Sequence, residues 1–507
     1  MTRDEQVSVT VPDPLGLDED LRQRAAHAVA NRPSSVDADP WRQAFHIQPP
    51  VGLLNDPNGL VLHEGSYHLC YQWHPFAPRH AQKFWAHLTS PDLVHWTEHE
   101  PALTPSHPYD KDGCYSGSGV VQDGAVRFFY TGNVRGPKGE RMSYQNVATL
   151  DPSGRVIRHS ANPILAEMPA CTAHVRDPKV WSRDGALWMV LGAQTDDLRG
   201  TVLLLRSSDL VQWDLVGPIT LDPEQLFGYM CECPDVVQLE GRDVLIVSPQ
   251  FDHGERAGAE RFTDETVYSP GILDLGAARF TGPAFRRVDA GPDFYAPQTF
   301  VDHAGRSIMV GWMGMPDHPG QPAIADKHPT VANGWVHCLT VPRELTLDGD
   351  ALVAVPVREL NALHGDPVRV VGARVAPGSP LRPASGAALD IELLATCEPG
   401  TGLAVRLRDG DTGRPVVLTL DPGAGTATLD RTQLGNGEGG VSVGTFRPGA
   451  KVQARILLDH SSIEAFIDQG RLTMSARIYP PSDQGVTVEA TGGAATLDLT
   501  VWPMNPA

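Results

Sequence analysis

Five short apolar runs recur between residues 67 and 312, and each follows a turn that ends in glycine. The turns are Glu64-Gly65, Asp123-Gly124, Asp184-Gly185, Glu240-Gly241 and Ala304-Gly305. The apolar runs that follow them are Tyr67 to Tyr71, Val126 to Tyr130, Leu187 to Leu191, Val244 to Val247 and Ile308 to Trp312. Glycine supplies the positive φ that a tight turn requires, so this pattern predicts five β-hairpins.

The hairpins recur at a nearly constant period. Their glycines are separated by 59, 61, 56 and 64 residues, and the segment Ser90 to Trp96 is echoed by Ser207 to Trp213. A unit of about 60 residues can hold four short strands, since a strand has about 5–6 residues. Radial repetition of such sheets predicts an all-β fold with a five-bladed β-propeller at residues 45–345. A sandwich or barrel with evenly spaced hairpins is the alternative.

The two flanks of this repeat have different patterns. Residues 17–31 mix leucine, alanine and paired charges, which predicts a short helix within an N-terminal extension at 1–44. Residues 346–367 are interpreted as a linker that contains a short helix. From residue 368 to 507, alternating strands such as Ser462 to Ile467 are separated by turns, which predicts a second, β-sandwich domain.

Composition restricts the classes of partner and compartment. The 507 residues carry a formal net charge of −20, which argues against nucleic acid and anionic membranes as partners. The sequence has no apolar run of membrane-spanning length, and residues 1–14 do not resemble a secretory signal. Seven scattered cysteines do not form a disulfide framework, and Cys231 and Cys233 are badly spaced for one zinc ion. These features predict a cytoplasmic protein, and they leave a homo-oligomer open.

Three acidic segments share one position within the repeat. Asp56 lies nine residues before Gly65, Asp177 eight before Gly185, and Glu232 nine before Gly241. In a propeller, this shared spacing from the hairpin glycine would bring the three carboxylates together at the axis. Converging carboxylates suggest acid–base chemistry on a neutral, polyhydroxylated substrate.

Each carboxylate also has an ordinary structural explanation. Asp56 stands in a turn-like string, Asp177 could pair with Arg176, and Glu232 could be an exposed strand residue. Their common phase in three repeats favours the functional interpretation, although the residues alone do not assign the individual roles.

The three segments resemble the defining motifs of glycoside hydrolase family 32. They are Asn55 to Gly59, Arg176 to Pro178 and Glu232 to Pro234. Further similar segments occur in the same order: Tyr71-Gln72, Trp85 to His87, Tyr115 to Ser118, Tyr295 to Phe300, Gly311-Trp312, Asp459 to Glu464 and Arg477 to Pro480. The similarity therefore extends from about Phe45 to the C-terminus.

This resemblance implies a retaining β-fructofuranosidase and a role for each carboxylate. Asp56 would be the nucleophile, Glu232 the acid/base and Asp177 the transition-state stabiliser. No metal or organic cofactor is implied. The residues implied to bind the sugar are Leu54, Asn55, Gln72, Trp85, Tyr115, Ser116, Arg176 and Trp312. The sequence departs from the family pattern at Leu53-Leu54, Ala86 and Tyr115, which concerns the shape of the sugar pocket rather than the carboxylates.

The segment His46 to Leu54 resembles the bacterial, intracellular members that act on sucrose 6-phosphate. The expected substrate is therefore sucrose or sucrose 6-phosphate, which would be hydrolysed to fructose and glucose or its 6-phosphate. A fructan hydrolase for levan or inulin is the alternative, followed by a non-catalytic carbohydrate-binding propeller. A phosphate group would need cations nearby, and the candidates are Arg79, His80, Arg135, Lys138 and Arg141.

Overall fold

The computed structural model describes residues 14–225, 227–252, 262–317, 323–410, 413–434, 439–480 and 485–507. Two helices, α1 (Pro14–Ala30) and α2 (Ser34–Asp37), precede the first strand. Helix α1 buries Leu21 and Ala25 in the same apolar cluster as the first sheet, and its Arg22 is also buried, where the guanidinium donates to the carbonyls of Pro101 and Ala102. No helix in the described ranges is long and apolar enough to cross a membrane.

Five mainly antiparallel sheets follow one another along the chain. The first sheet contains β1 (Gly52–His63), β2 (Ser66–His74), β3 (Phe84–Ser90) and β4 (Thr97–Leu103). The second contains β5 (Cys114–Gln122), β6 (Ala125–Arg135), β7 (Arg141–Leu150) and β8 (Val156–Arg158). The third contains β9 (Cys171–Arg183), β10 (Ala186–Thr195), β11 (Gly200–Ser207) and β12 (Trp213–Pro218).

The fourth and fifth sheets have additional short strands. The fourth contains β13 (Thr220–Asp222), β14 (Met230–Leu239), β15 (Arg242–Asp252), β16 (Phe262–Asp264), β17 (Val267–Asp274), β18 (Arg279–Thr281) and β19 (Arg286–Arg287). The remaining strands of this region are β20 (Tyr295–Val301), β21 (Ser307–Met313), β22 (Trp335–Val336), β23 (Cys338–Leu339), β24 (Arg343–Asp348) and β25 (Ala351–Pro356). Of these, β22 belongs to the first sheet and the others form the fifth.

The five sheets form a closed ring. The strands β1, β5, β9, β14 and β20 contact one another in that order, and β20 contacts β1 in turn. Strand β22 closes the circle by pairing in parallel with β1, through Gly52 with Trp335 and Leu53 with Val336. The predicted five-bladed propeller is confirmed, with these five strands innermost.

The predicted repeat of the Ser90 to Trp96 segment is also visible in the structure. Asp92 accepts the backbone N–H of Val94, and Asp209 accepts that of Val211, both at 3.0 Å. Each aspartate therefore holds an equivalent turn, which follows the third strand in both the first and the third blade.

The C-terminal region is a β-sandwich, as predicted. One sheet has the order β26 (Val368–Val375), β36 (Ala495–Pro503), β27 (Leu389–Cys397), β32 (Lys451–Asp459), β33 (Ser462–Ile467), β34 (Leu472–Arg477). The other has the order β31 (Val441–Thr445), β30 (Thr426–Asp430), β29 (Val416–Asp421), β28 (Gly402–Leu407), β35 (Val486–Thr491). Apolar residues such as Ile391, Val405 and Ile456 form the core between them.

The boundary between propeller and sandwich differs from the predicted one. Strand β24 pairs with β21, and β25 pairs with β24, so the fifth sheet extends to Pro356 rather than ending at residue 345. The polar turn Asp348 to Asp350 between two alternating runs is a hairpin signal, which explains why residues 346–356 form strand rather than linker. Beyond it, Arg358–Leu363 forms a short 3-10 helix.

A buried charge cluster joins the propeller to the sandwich. The ring nitrogens of His46 lie 2.8 Å from Asp459 Oδ2 and 2.9 Å from Glu464 Oε1. Arg343 Nη1 lies 2.9 Å from Asp289 Oδ2, and its guanidinium also contacts Glu464. The side chains of all five residues are fully enclosed. Residues of both domains therefore neutralise one another inside the interface.

Candidate active site

Every inner strand of the propeller has a register shift at the same depth. The ladder is interrupted between Leu54 and Pro57, Tyr115 and Gly117, Arg176 and Lys179, Glu232 and Asp235, and Tyr295 and Gln298. Four of these interruptions contain or adjoin a proline, which cannot donate a ladder hydrogen bond and is therefore confined to such places. A bulge re-aims side chains, and here it presents them to the axis.

The bulges surround a cavity of about 730 Å³ at one end of the axis. Asp56, Asp177 and Glu232 all line it, although they come from three different blades. The close approach of blades here requires small residues: a Cβ on Gly192 of β10 would lie 2.3 Å from the carbonyl oxygen of Cys231. The convergence of the carboxylates predicted from their spacing is thus observed.

Asp56 is held by several hydrogen-bond donors. Its Oδ1 accepts from Asn55 Nδ2 at 3.1 Å, and its Oδ2 accepts from Gln72 Nε2 at 3.0 Å and from the Ser116 hydroxyl. Burial raises the pKa of Asp56, the hydrogen bond from Ser116 opposes that rise, and the charge of Glu232 adds to it. The carboxylate is therefore fixed in position and oriented toward the cavity.

Asp177 adopts a left-handed backbone conformation, with φ of +66°. Its N–H donates to Thr131 Oγ1 at 2.9 Å, and its Oδ2 accepts the N–H of Cys233 at 3.0 Å. Burial raises the pKa of Asp177 to about 7, while Arg176 opposes the rise and Glu232 adds to it. The two neighbouring blades thus hold Asp177 through its backbone and through its side chain.

Glu232 is more accessible than Asp177. Its side chain is 17% exposed, against 5% for Asp177. Arg176 Nη2 donates to Oε1 at 2.6 Å, and the Tyr295 hydroxyl donates to Oε2 at 2.8 Å. The carboxylate is therefore oriented by one donor residue on each oxygen, and Arg176 also donates through Nε to Oε1 at 3.1 Å.

The predicted sugar-binding residues occupy two layers. Asn55, Gln72, Tyr115, Arg176 and Trp312 line the cavity itself. The indole N–H of Trp312 is buried and has no partner among the described residues, so a hydroxyl in the cavity could satisfy it.

Leu54, Trp85 and Ser116 lie behind the cavity wall. Ser116 reaches Asp56 directly, whereas Leu54 is a fully buried core residue. Trp85 is also fully buried: its ring packs against Phe128, and its Nε1 donates to the Tyr115 carbonyl at 3.0 Å. Trp85 therefore supports Tyr115 rather than lining the cavity as a sugar-binding residue, because its strand position directs the ring into the contact with the next blade.

Tyr295 and Lys83 contact predicted site residues, and neither was itself predicted as a site residue from the sequence. Tyr295 lies ten residues before its hairpin glycine, Gly305, and the three carboxylates lie eight or nine residues before theirs. The spacing that predicted the carboxylates therefore also marks Tyr295. Lys83 lies just before β3 and donates to Asn55 Oδ1 at 2.7 Å. It belongs to a connecting segment outside the repeat phase, and no spacing signal marks it.

The candidate phosphate-binding cations divide into two groups. His80, Arg135 and Arg141 line the cavity, whereas Arg79 and Lys138 are exposed residues outside its lining. Arg135 and Arg141 are direct cross-strand partners at the end of the β6–β7 hairpin. Two cations face each other at the mouth of the cavity.

Family models match almost the whole described fold. The model for the glycosyl hydrolases family 32 N-terminal domain matches residues 46–356, and that for the family 32 C-terminal domain matches 359–503. The chain belongs to glycosyl hydrolase family 32. This family 32 chain is accordingly a glycoside hydrolase, as its motifs predicted.

Individual relatives agree with this assignment. The family 32 chain is 38% identical over 515 residues to a sucrose-6-phosphate hydrolase of Bacillus subtilis, with 96% of this chain and 99% of the relative covered. It resembles the structure of sucrose-6-phosphate hydrolase from Lactobacillus gasseri with a TM-score of 0.84 and 26% identity, covering 96% and 99% of the two chains. A Bombyx mori GH32 beta-fructofuranosidase mutant in complex with sucrose gives a TM-score of 0.79 at 27% identity, covering 96% and 98%.

Proposed function

We propose that this protein is a retaining β-fructofuranosidase that hydrolyses sucrose 6-phosphate, and sucrose less efficiently. The observation that carries the proposal is the meeting of Asp56, Asp177 and Glu232 in one cavity of a family 32 propeller. The relatives named above, together with a related protein that binds sucrose, support this substrate class. Retention requires a nucleophilic carboxylate and a proton donor on opposite sides of the scissile bond.

In this mechanism Asp56 attacks the anomeric carbon and forms a covalent fructosyl-enzyme. Its two oxygens are held by Asn55, Gln72 and Ser116, so little reorganisation is needed before attack. As the bond to the leaving oxygen breaks, Glu232 donates a proton to that oxygen. Glu232 then removes a proton from water, which attacks the anomeric carbon and releases Asp56.

The surroundings of Glu232 suit both halves of this cycle. Arg176 and Tyr295 orient its carboxylate in the ligand-free cavity. A fructose unit whose hydroxyls accept hydrogen bonds from Arg176 would draw the guanidinium away from Glu232, which leaves Oε1 of this carboxyl group free to face the leaving oxygen. Asp177 would bind fructose hydroxyls and stabilise the positive charge that develops on the ring.

The roles are tested with Asp56→Asn, Asp177→Asn and Glu232→Gln, each assayed on sucrose and on nitrophenyl β-fructofuranoside. General acid catalysis contributes about 10²–10⁴-fold, and a nitrophenolate leaves without a proton. We expect Glu232→Gln to lose far more activity on sucrose than on the nitrophenyl substrate. The Asp56 and Asp177 variants should lose both activities alike. If Asp177→Asn instead lost activity mainly on sucrose and kept it on the nitrophenyl substrate, Asp177 would be the proton donor.

The phosphate preference rests on the cationic mouth of the cavity. Like charges directly opposite each other on two strands destabilise a hairpin, so the Arg135–Arg141 pair costs stability unless an anion binds between them. Neither guanidinium forms an ion pair with a carboxylate of the described residues, while Arg141 packs on the Tyr115 ring at 5.8 Å. A phosphate dianion would accept hydrogen bonds from both.

The corresponding experiment compares KM for sucrose 6-phosphate and for sucrose in Arg135→Gln, Arg141→Gln and the control Lys138→Gln. Lys138 is exposed on the same hairpin but outside the cavity lining. The two arginine substitutions should raise KM for sucrose 6-phosphate at least tenfold and leave KM for sucrose nearly unchanged. Equal effects on both substrates would contradict a phosphate site here.

A cytoplasmic location accords with this function, since phosphorylated sugars are intracellular compounds. The seven cysteines are all free thiols, as in a reducing compartment. Fractionation of cells that express the protein would test the location, and recovery from the medium would contradict it.

A further inference from the structure

Lys83 is a buried cation in the wall of the cavity. The residue is 3% exposed and lines the space that also contains Asp56. In the described part of the chain, no carboxylate lies within 4.0 Å of its ammonium. A buried lysine is nearly always paired, so this one costs stability, and such a cost is typical of a functional position.

The ammonium of Lys83 reaches the nucleophile through one amide. Lys83 Nζ donates to Asn55 Oδ1 at 2.7 Å, and Asn55 Nδ2 donates to Asp56 Oδ1 at 3.1 Å. A flipped amide would set its NH2 group against the ammonium and its oxygen against the carboxylate. Lys83 therefore fixes the one orientation in which Asn55 donates to Asp56.

The charges around Lys83 come from several elements. Asp56 on β1 and Asp317 after β21 favour its charged form. Three histidines also face it: His80, whose Nδ1 lies 3.1 Å away, His74 on β2 and His337 near β23. Burial lowers the pKa of each histidine, so all three stay neutral and His80 can accept from the ammonium.

We propose that Lys83 is a positioning residue for Asp56, which orients the Asn55 amide toward the nucleophile and keeps the Asp56 carboxylate ionised through its own positive charge. The inference rests on the proposed function, in which Asp56 attacks the sugar. Loss of the Lys83 proton removes both the charge and the best donor to Asn55. Activity should therefore fall as the pH rises through the pKa of Lys83.

The position of this transition follows from the surroundings of the ammonium. Burial lowers the pKa of Lys83 to about 7, and the attraction of Asp56 and Asp317 opposes that fall. The ammonium is present at lower pH and is lost above this value. Arginine at the same position would stay charged throughout, because its guanidinium does not deprotonate in this range.

The test is the pH dependence of kcat/KM for sucrose between about pH 5 and about pH 9.5, for the wild type, Lys83→Arg, Lys83→Met and the exposed control Lys451→Met. The wild type and control should lose activity above neutral pH. Lys83→Arg should lose that alkaline decline or move it upward. At its optimum pH, Lys83→Met should have a kcat/KM roughly hundredfold below that of the wild type, because misplacing a catalytic group has an effect of this size.

Two results would overturn the inference. One is that Lys83→Arg loses activity at alkaline pH as the wild type does, and the other is that kcat/KM of Lys83→Met stays within about threefold of the wild-type value. Thermal unfolding of each variant checks that it is folded, and if Lys83→Met is not, the profile of Lys83→Arg decides. Asp56→Asn separates this inference from the proposed function. If that variant retains activity, the proposed function fails; if it is inactive and Lys83→Arg is unshifted, only the role of Lys83 fails.

Discussion

His46 should make the stability of the protein depend on pH in the alkaline range. Each of its ring nitrogens lies within 2.9 Å of a buried carboxylate, Asp459 or Glu464, so both nitrogens must donate and the ring must be an imidazolium. These two carboxylates raise the pKa of His46 from 6.5 to about 9, against the effect of burial. The perturbation we consider is His46→Leu.

The magnitude follows from the difference between the folded and unfolded states. A pKa raised from 6.5 to about 9 corresponds to about 3 kcal/mol, at about 1.4 kcal/mol for each pH unit. Because the folded-state pKa of His46 is the higher one, this stabilisation is complete below pH 6.5 and is lost as the pH rises through 9. His46→Leu also leaves Asp459 and Glu464 without a shared cation, and breaking a buried pair typically costs about 3–5 kcal/mol.

The assay is urea unfolding followed by tryptophan fluorescence at several pH values from about 6 to about 9.5. At the acid end of this range, the free energy of unfolding of the wild type should exceed that of His46→Leu by about 3 kcal/mol or more. This difference should shrink toward the alkaline end. His303→Leu, at an exposed position, serves as the control. A difference that does not change with pH would refute the reasoning, since it would mean that His46 is neutral in the folded protein.

Three further substitutions probe the propeller. Gly192→Ala should destabilise the protein by about 1–3 kcal/mol, measured by urea unfolding, because its Cβ meets a backbone carbonyl of the next blade. Lys179→Met should lower the free energy of unfolding by about 3–5 kcal/mol, since it leaves the buried carboxylate of Asp235 without its ammonium partner. Tyr295→Phe removes a hydrogen bond of about 1.5–3 kcal/mol from Glu232, so kcat/KM should fall at least tenfold while the melting temperature changes little.

The period of the chain was sufficient to predict the blades and the meeting of the carboxylates. Asp56, Asp177 and Glu232 stand at one phase of a repeat, and equivalent strands must place equivalent residues at the same radius. The hairpin glycines that set this phase are local signals that need no tertiary information.

Other features depend on neighbours that are distant in sequence. The ring of Trp85 is directed at Phe128 of the next blade, so its burial follows from blade packing and not from its motif. Lys83 has its effect through Asn55, a contact between a connecting segment and a strand. The fifth sheet passes residue 345 because β24 finds a partner in β21, which periodicity does not reveal.

The closure of the ring has a consequence for synthesis of the chain on the ribosome. Strand β1 acquires its parallel partner, Trp335–Val336, only after nearly all of the propeller has been made. The first blade therefore emerges with one backbone edge unpaired and waits for a segment from the far end of the domain. Such long-range pairing is slow to form and exposes the nascent chain to aggregation. A chain that terminates before residue 335 would lack this parallel pairing and keep the edge of β1 unpaired, however many complete blades it contained.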